Sequence, residues 1–271
     1  MTDAPSSVAI VTGAASGIGR ELASLLAERG HRLALVDIDA AGLHAHADAL
    51  RERHGCDVAT YVVDLAQPQA VCDLAASLHS TFSENLALLV NNAGIALGGG
   101  FDAVDEADFN ACMQINFGAA VQLVRALLPS LEAGAGGWIV NVSSIFGIVA
   151  PPNQTAYSAS KFALRGFSEA LTHELASRPK IGITTVFPGS VRTSIARNAR
   201  VPDNVDQGVR AEQVAAMEEK LIMEPREAAA TILDAVDRGK ARVLVGRDAR
   251  LAEKVQRLLP TRYWSVIDRD K

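Results

Sequence analysis

Aromatic residues make up only 5% of this 271-residue chain, cysteines number three, and neither sign of charge dominates. With 26 Lys plus Arg against 31 Asp plus Glu, the formal net charge is -5. Lack of a basic excess argues against nucleic acid as a partner, because phosphate recognition requires a positive surface. Cys56, Cys72 and Cys112 are odd in number and widely spaced, matching neither a disulfide framework nor a zinc motif. They read as structural thiols in a reducing interior. No uninterrupted apolar run reaches the roughly 18 residues of a membrane helix. The opening Met1 to Ser7 lacks a basic and apolar leader. The expectation is a cytoplasmic protein with no membrane partner and no bound metal.

What is present is rhythm. Hydrophobic residues are 49% and charged residues 21% of the chain, an ordinary globular balance, and the length suits one domain spanning 1–271. Short apolar runs at 8–12, 32–37, 58–63, 86–91, 138–143, 183–187 and 242–245 alternate with helical stretches such as 17–29, 40–53 and 155–176. That alternation predicts the α/β class: a doubly wound, mostly parallel seven-stranded sheet with helices on both faces, Rossmann-like. The stretch 194–224, with a short helical 210–220, breaks the rhythm. It is expected to be a substrate lid, a plain surface connection being the other reading.

Directly after the first strand comes Thr12-Gly13-Ala14-Ala15-Ser16-Gly17-Ile18-Gly19, leading into a helix. Glycines there let the backbone approach a pyrophosphate, and the helix N-terminus offers free N–H groups to it. The second strand ends at Asp37, 18 residues beyond Gly19, close to the interval at which a carboxylate meets the adenosine ribose. Asp37 would repel a 2′-phosphate, Ile38 follows it, and Ser16 rather than a cation occupies the turn. NAD is therefore expected in preference to NADP. A helix cap is the alternative role for Asp37, one that Asp39 can fill equally well. Asp64, with Leu65 beside it, ends the third strand and could accept from an adenine amino group. Asn91-Asn92-Ala93-Gly94 ends the fourth, and strand C-termini border the ligand crevice of an open α/β sheet.

The fifth strand runs into Asn141-Val142-Ser143-Ser144, and 13 residues beyond Ser144 stands Tyr157-Ser158-Ala159-Ser160-Lys161. One helical turn separates Tyr157 from Lys161, so they share a face and the ammonium can favour an ionised phenol. A phenol titrates near 10, so working near neutral pH needs a depression of roughly 2 to 3 units. Lys161 and an oxidised nicotinamide are expected to supply it together. Alone, such a pair is commonly helix decoration; the dinucleotide turn and the strand-end hydroxyl give it meaning.

These elements, with Asn116 and Pro188-Gly189-Ser190-Val191-Arg192-Thr193, resemble the short-chain dehydrogenase/reductase family in its compact single-domain form, over nearly the whole chain. The resemblance implies Tyr157 as general acid or base, Ser144 as holder of the substrate oxygen, and Lys161 on the nicotinamide ribose. It implies Asn116 in a proton relay, and Pro188, Gly189, Val191 and Thr193 near the carboxamide. An interhelical hydrogen bond is the plainer role for Asn116. The resemblance also suggests a homodimer or homotetramer built through the helices of Asn116 and Tyr157. The expected reaction is NAD-linked hydride exchange with a secondary alcohol or ketone in an apolar pocket drawn from Ile95, Leu97, Ile145, Phe146 and Ile148, a place in the core being the other reading of each. The rivals are an NADP-dependent reductase of ketones or 3-oxoacyl thioesters, and a non-catalytic dinucleotide sensor. His44 and His46, two apart on a helix, form no metal pair and are expected to face solvent.

Overall fold

Strand β1 (Val8–Thr12) sends Ala9 and Val11 into one core and Val8 and Ile10 into another. Strand β2 (Arg32–Asp37) does the same with Leu33 and Leu35 against Ala34 and Val36. Strands apolar on both sides must be covered on both faces, which parallel connectivity through helices achieves. The computed structural model describes residues 7–134, 136–178, 180–195, 197–201, 208, 215, 219 and 221–268. The remaining strands are β3 (Val58–Val62), β4 (Leu86–Asn91), β5 (Gly137–Val142), β6 (Ile181–Pro188) and β7 (Arg242–Val245). They form one sheet in the order β3-β2-β1-β4-β5-β6-β7, and every pairing is parallel. The expected strands are all found, β1, β2, β4 and β7 with the expected ends and β3, β5 and β6 with ends moved by one or two residues.

Helices α1 (Gly17–Glu28) and α2 (Ala40–His54) cover one face, with Leu22, Leu26, Leu43 and Leu50 buried there. Helices α3 (Pro68–Phe82), α5 (Ala119–Ala133) and α6 (Thr155–Glu174) cover the other, through residues such as Leu74, Leu78, Leu123, Leu127 and Phe167. Each fully buried Leu or Ile contributes about 1.5–3 kcal/mol, so these two cores carry the fold. Helix α4 (Glu106–Met113) continues through a π-helical turn (Gln114–Gly118) into α5. The result is one helix, Glu106–Ala133, long and apolar enough by length and composition to cross a membrane, a property not foreseen from uninterrupted apolar runs. Here Leu123, Val124, Leu127 and Leu131 of that helix are buried in the sheet's core. Three further helices complete the described residues: α7 (Pro225–Asp237) on the α1 face, then α8 (Arg247–Leu258) and α9 (Tyr263–Ile267).

Strand order reverses between β1 and β4, so the connections from their C-terminal ends diverge and open a crevice there. The segment following Thr12 and the segment Asn92 to Gly94 meet at that point.

Candidate active site

Thr12 holds the crevice together from below. Its Oγ1 accepts from Asn92 N and Ala93 N, both at 3.0 Å, and donates to Val90 O at 3.3 Å. Asn92 Nδ2 in turn donates to Thr12 O (2.9 Å) and Gly13 O (3.3 Å), so its side chain braces the glycine turn. Gly13 has φ +69°, and a Cβ on it would come within 2.9 Å of Ala93 Cα. At the end of the turn a Cβ on Gly19 would collide with Gly13 O. Ser16 is the N-cap of α1 but makes no capping bond, which leaves the first-turn N–H groups available to an anion. Thr193 lies over Gly17, 3.0 Å from where a Cβ would stand. The Gly-rich turn and the segment after β6 therefore close on one another.

Asp37 is not the cap of α2; Asp39 fills that role, accepting from Gly42 N at 3.1 Å. Asp37 instead accepts from Ala15 N (2.9 Å) and Asp39 N (3.0 Å), which fixes its carboxylate beside the turn. Ile38 stands exposed next to it. Asp64 accepts from Ala66 N at 2.9 Å, and Leu65 is buried. His44 is exposed as expected, but His46 is not: it lies beneath the glycine turn at 3% exposure. Its Nδ1 is 3.0 Å from Ala14 O and its Nε2 is 3.2 Å from Ser24 Oγ. Burial lowers its pKa, which favours a neutral ring. Of the thiols, Cys112 is buried and Cys56 half-buried, whereas Cys72 is exposed and so has no structural part. Among the described residues no cluster of His, Cys, Asp and Glu is arranged to hold a metal.

Asn116 sits in the π-helical turn, a geometry that the sequence did not announce and that often marks functional sites. Its Oδ1 accepts from Ile95 N (2.8 Å). Its Nδ2 donates to Ile95 O (3.0 Å), Ser160 Oγ (2.9 Å) and Cys112 Sγ (3.3 Å). The side chain is thus the tether between elements, and it brings the turn beside Lys161: a Cβ on Gly94 would lie 3.0 Å from Asn116 Oδ1 and 3.1 Å from Lys161 Nζ. Ser160 and Cys112 complete this hub. Their place on inward helix faces, one turn from Asn116 or adjacent to Lys161, was the available signal.

Register fixes the opposite wall. Asn91 pairs with Asn141 across β4 and β5, and their side chains bond at 2.8 Å; Asn141 Nδ2 then donates to Ser168 Oγ of α6 at 2.8 Å. Ser143, the neighbouring hydroxyl, is consumed by Lys161 O at 2.9 Å. Ser144 Oγ accepts from Phe146 N (3.1 Å), and its hydroxyl lowers the pKa of the nearby Tyr157 phenol. Lys161 Nζ donates to Val142 O (3.0 Å) and stands 5.8 Å from the Tyr157 ring centroid. Ser144, Tyr157 and Lys161 therefore converge at the C-terminal end of β5. The protein groups alone act against the depression that Lys161 and an oxidised nicotinamide are expected to supply together. Burial pushes the Tyr157 phenol up to about 12, only partly offset by the Ser144 hydroxyl, and pushes Lys161 down to about 8. Within the protein, the spacing of the pair does not by itself make an acidic phenol.

The apolar wall divides. Ile95, Leu97 and Phe146 pack in the cluster containing Tyr157, with the Phe146 ring edge-on to it at 5.9 Å. Ile145 and Ile148 belong to another cluster, with Phe187 and Tyr263. After β6, Gly189 N donates to Val245 O (2.9 Å), Ser190 N to Asp248 (2.6 Å), and buried Val191 bridges to Met223. Of the expected lid, Ile195 and Ala199 pack in the Tyr157 cluster, and Arg200 exchanges backbone bonds with Ala96 and Gly98. The expected helix 210–220 falls almost wholly outside the described residues.

These features fit a dinucleotide: a glycine cradle, an uncapped helix N-terminus facing it, and a buried lysine at the crevice. The sequence pattern described as short chain dehydrogenase matches residues 7–204. The chain belongs to the short-chain dehydrogenase/reductase family. It is 39% identical over 262 residues to SadH of Mycobacterium tuberculosis, described as an oxidoreductase, covering 96% of this chain and 93% of that one. It is 31% identical to a 3-ketodihydrosphingosine reductase of Bacteroides thetaiotaomicron, covering 85% and 84%. Among solved structures, a Burkholderia phymatum short-chain dehydrogenase/reductase in complex with NAD superposes with TM-score 0.83 at 26% identity, covering 95% of both chains. A Sphingobium yanoikuyae short-chain dehydrogenase in complex with NADPH gives 0.77 at 28% identity, covering 94% and 95%.

Family membership makes this short-chain dehydrogenase/reductase an oxidoreductase that uses a nicotinamide cofactor on CH–OH groups of small molecules. Its Rossmann-like sheet is that of the family.

Proposed function

We propose that the enzyme catalyses NAD-linked hydride exchange with a secondary alcohol or ketone, with Tyr157 as general acid/base. The observation that carries this reading is the convergence of Ser144, Tyr157 and Lys161 at the end of β5, with Lys161 Nζ beside Gly94 of the crevice. Bound NAD would accept or return the hydride. Ser144 would hold the substrate oxygen, and Tyr157 Oη would take its proton during oxidation or return it during reduction. Lys161 would bind the nicotinamide ribose, and its charge would help to lower the phenol from its buried value of about 12. The turn of Gly13, Ser16, Gly17, Ile18 and Gly19 would seat the pyrophosphate, with Asp37 and Ile38 at the adenosine ribose. Asp64 and Leu65 would flank the adenine, while Asn92, Ala93 and Gly94 would line the crevice. Pro188, Gly189, Val191 and Thr193 would meet the carboxamide, and Asn116 would hold the relay beside Lys161.

The NAD preference rests on the fixed Asp37 carboxylate, which would repel a 2′-phosphate, with exposed Ile38 rather than a cation beside it. The apolar company of Tyr157, with Ile95, Leu97, Phe146, Phe109 and Ile195, favours an apolar substrate. The stretch 194–224 would serve as a substrate lid, a reading supported by Ile195 and Ala199 in the Tyr157 cluster. Replacing Tyr157 by Phe tests the assignment: turnover falls by about a thousandfold or more while NAD binding persists. A variant that retains turnover would defeat it.

A further inference from the structure

The face that α8 turns to solvent is built unlike the rest of this acidic protein. Residues 242–262 contain six Lys and Arg against two Asp and Glu. Both acids are already engaged: Asp248 accepts from Ser190 N, and Glu253 pairs with Arg242 at 2.8 Å. Among the described residues, Arg247, Arg250, Lys254, Arg257 and Arg262 have no ion-pair partner. Ala249 and Ala252 anchor α8 to the body, being 0% and 6% exposed. At 100° per residue the opposite side carries Arg247, Arg250, Lys254 and Arg257 in one stripe, with Leu251 and Leu258 alongside. Leu251 is 64% exposed and Leu258 79%. With Leu259 and Ile267 they are four of the nine exposed large apolar side chains among the described residues.

A stripe of unpaired cations beside protruding leucines, on a helix with little apolar content overall, is the composition of a helix lying in a membrane interface. We propose that α8 and residues 259–262 after it form a docking surface for an anionic lipid bilayer. The four cations meet lipid headgroups while Leu251, Leu258 and Leu259 enter the boundary of the acyl region. A nucleic acid would satisfy the cations but leave the leucines in water. A symmetric contact with a second copy would set the cation stripe against itself. The contact is peripheral, not a span, and it revises the sequence expectation of no membrane partner. It also has a place in the architecture. Tyr263 Oη accepts from Ala150 N at 3.1 Å, and Ala252 and Tyr263 pack with Ile148 and Val149 of the segment after Ser144. The helix that carries the docked face is thus packed, through its opposite side, against that segment.

The test is cosedimentation of the full chain with vesicles of phosphatidylcholine, with and without phosphatidylglycerol. Binding is expected only with phosphatidylglycerol and should weaken as salt rises. Exchanging Arg250 and Lys254 for Gln should weaken it about 30-fold, from roughly 1 kcal/mol per cation. The pair Leu251→Ser and Leu258→Ser should abolish it. All these side chains are exposed, so melting temperature and turnover of a water-soluble alcohol should match the parent, which separates this proposal from the proposed reaction. Absence of binding to phosphatidylglycerol vesicles overturns the proposal. So does binding that survives loss of both leucines, since charge alone then holds the surface. A lower molecular mass in solution for the leucine variant would assign the face to contacts between copies and overturn it equally.

Discussion

Lys161 is buried to 3% exposure, and its pKa falls from an ordinary 10.5 to about 8 because burial disfavours the ammonium. Between those values the unfolded chain keeps the proton and the folded chain releases it. Unfolding then takes up a proton, so stability rises with pH across that window. The contribution of this group is about 3 kcal/mol at 1.36 kcal/mol per unit. Tyr157, raised from 10 to about 12, acts oppositely at higher pH, because there the unfolded chain loses its proton first. A Lys161→Met variant should lack the rise. Denaturant titrations at pH 7.5 and 9.5 check this: the stability difference between parent and variant should shift in favour of the parent. Parallel behaviour of the two proteins would show that Lys161 stays charged. At this scale the sequence disclosed identities and spacing, since Tyr157 and Lys161 are one turn apart on any helix. It could not disclose their proton affinities, which arise from burial in the folded chain and, for Tyr157, from the opposing effect of the Ser144 hydroxyl brought in by another element.

Helix α2 shows how an element can mislead. Residues 44 and 46 are about 200° apart on a helix, so both cannot face solvent if either face is covered. His44 does, and His46 goes under the glycine turn. The turn is held through its backbone by two side chains from the β2–α2 unit: Asp37 accepts from Ala15 N, and His46 bonds Ala14 O. Replacing His46 by Leu leaves Ala14 O and Ser24 Oγ without that partner, a loss of about 1–3 kcal/mol. We expect a cofactor KM several-fold higher with kcat preserved at saturation, since the reacting groups of β5 and α6 are untouched. Steady-state kinetics at varied NAD distinguishes this from a purely structural role; an unchanged KM would remove His46 from the positioning of the turn. The π-helical turn was hidden for a related reason. Gln114 to Gly118 carries ordinary helical residues, and only the bonds of Asn116 to Ile95 and Ser160 mark its extra residue.

For the whole molecule, the parallel, doubly covered sheet was legible because β1 and β2 are apolar on both faces and their connections are helix-length, whereas the order of the strands emerged only in the fold. The division of the apolar wall was not, because Phe146 is shared by two clusters whose other members come from distant segments, Ile95 and Leu97 in one and Phe187 and Tyr263 in the other. We propose that 1–271 folds as one cooperative domain, and cofactor binding then stabilises all of it. A ligand at about 100 times its Kd adds about 2.7 kcal/mol. For a chain of this size that corresponds to a rise in melting temperature of about 5 to 10 °C. NAD should produce it in a single shifted transition, while NADP at equal concentration should produce clearly less, because its 2′-phosphate would meet a carboxylate already fixed by two backbone donors. Asp37→Asn should narrow that gap by removing the repulsion while keeping an acceptor for Ala15 N. Thermal unfolding of both proteins with each cofactor decides the matter: a larger shift with NADP in the parent would reverse the assignment to NAD, and two separate transitions would divide the domain.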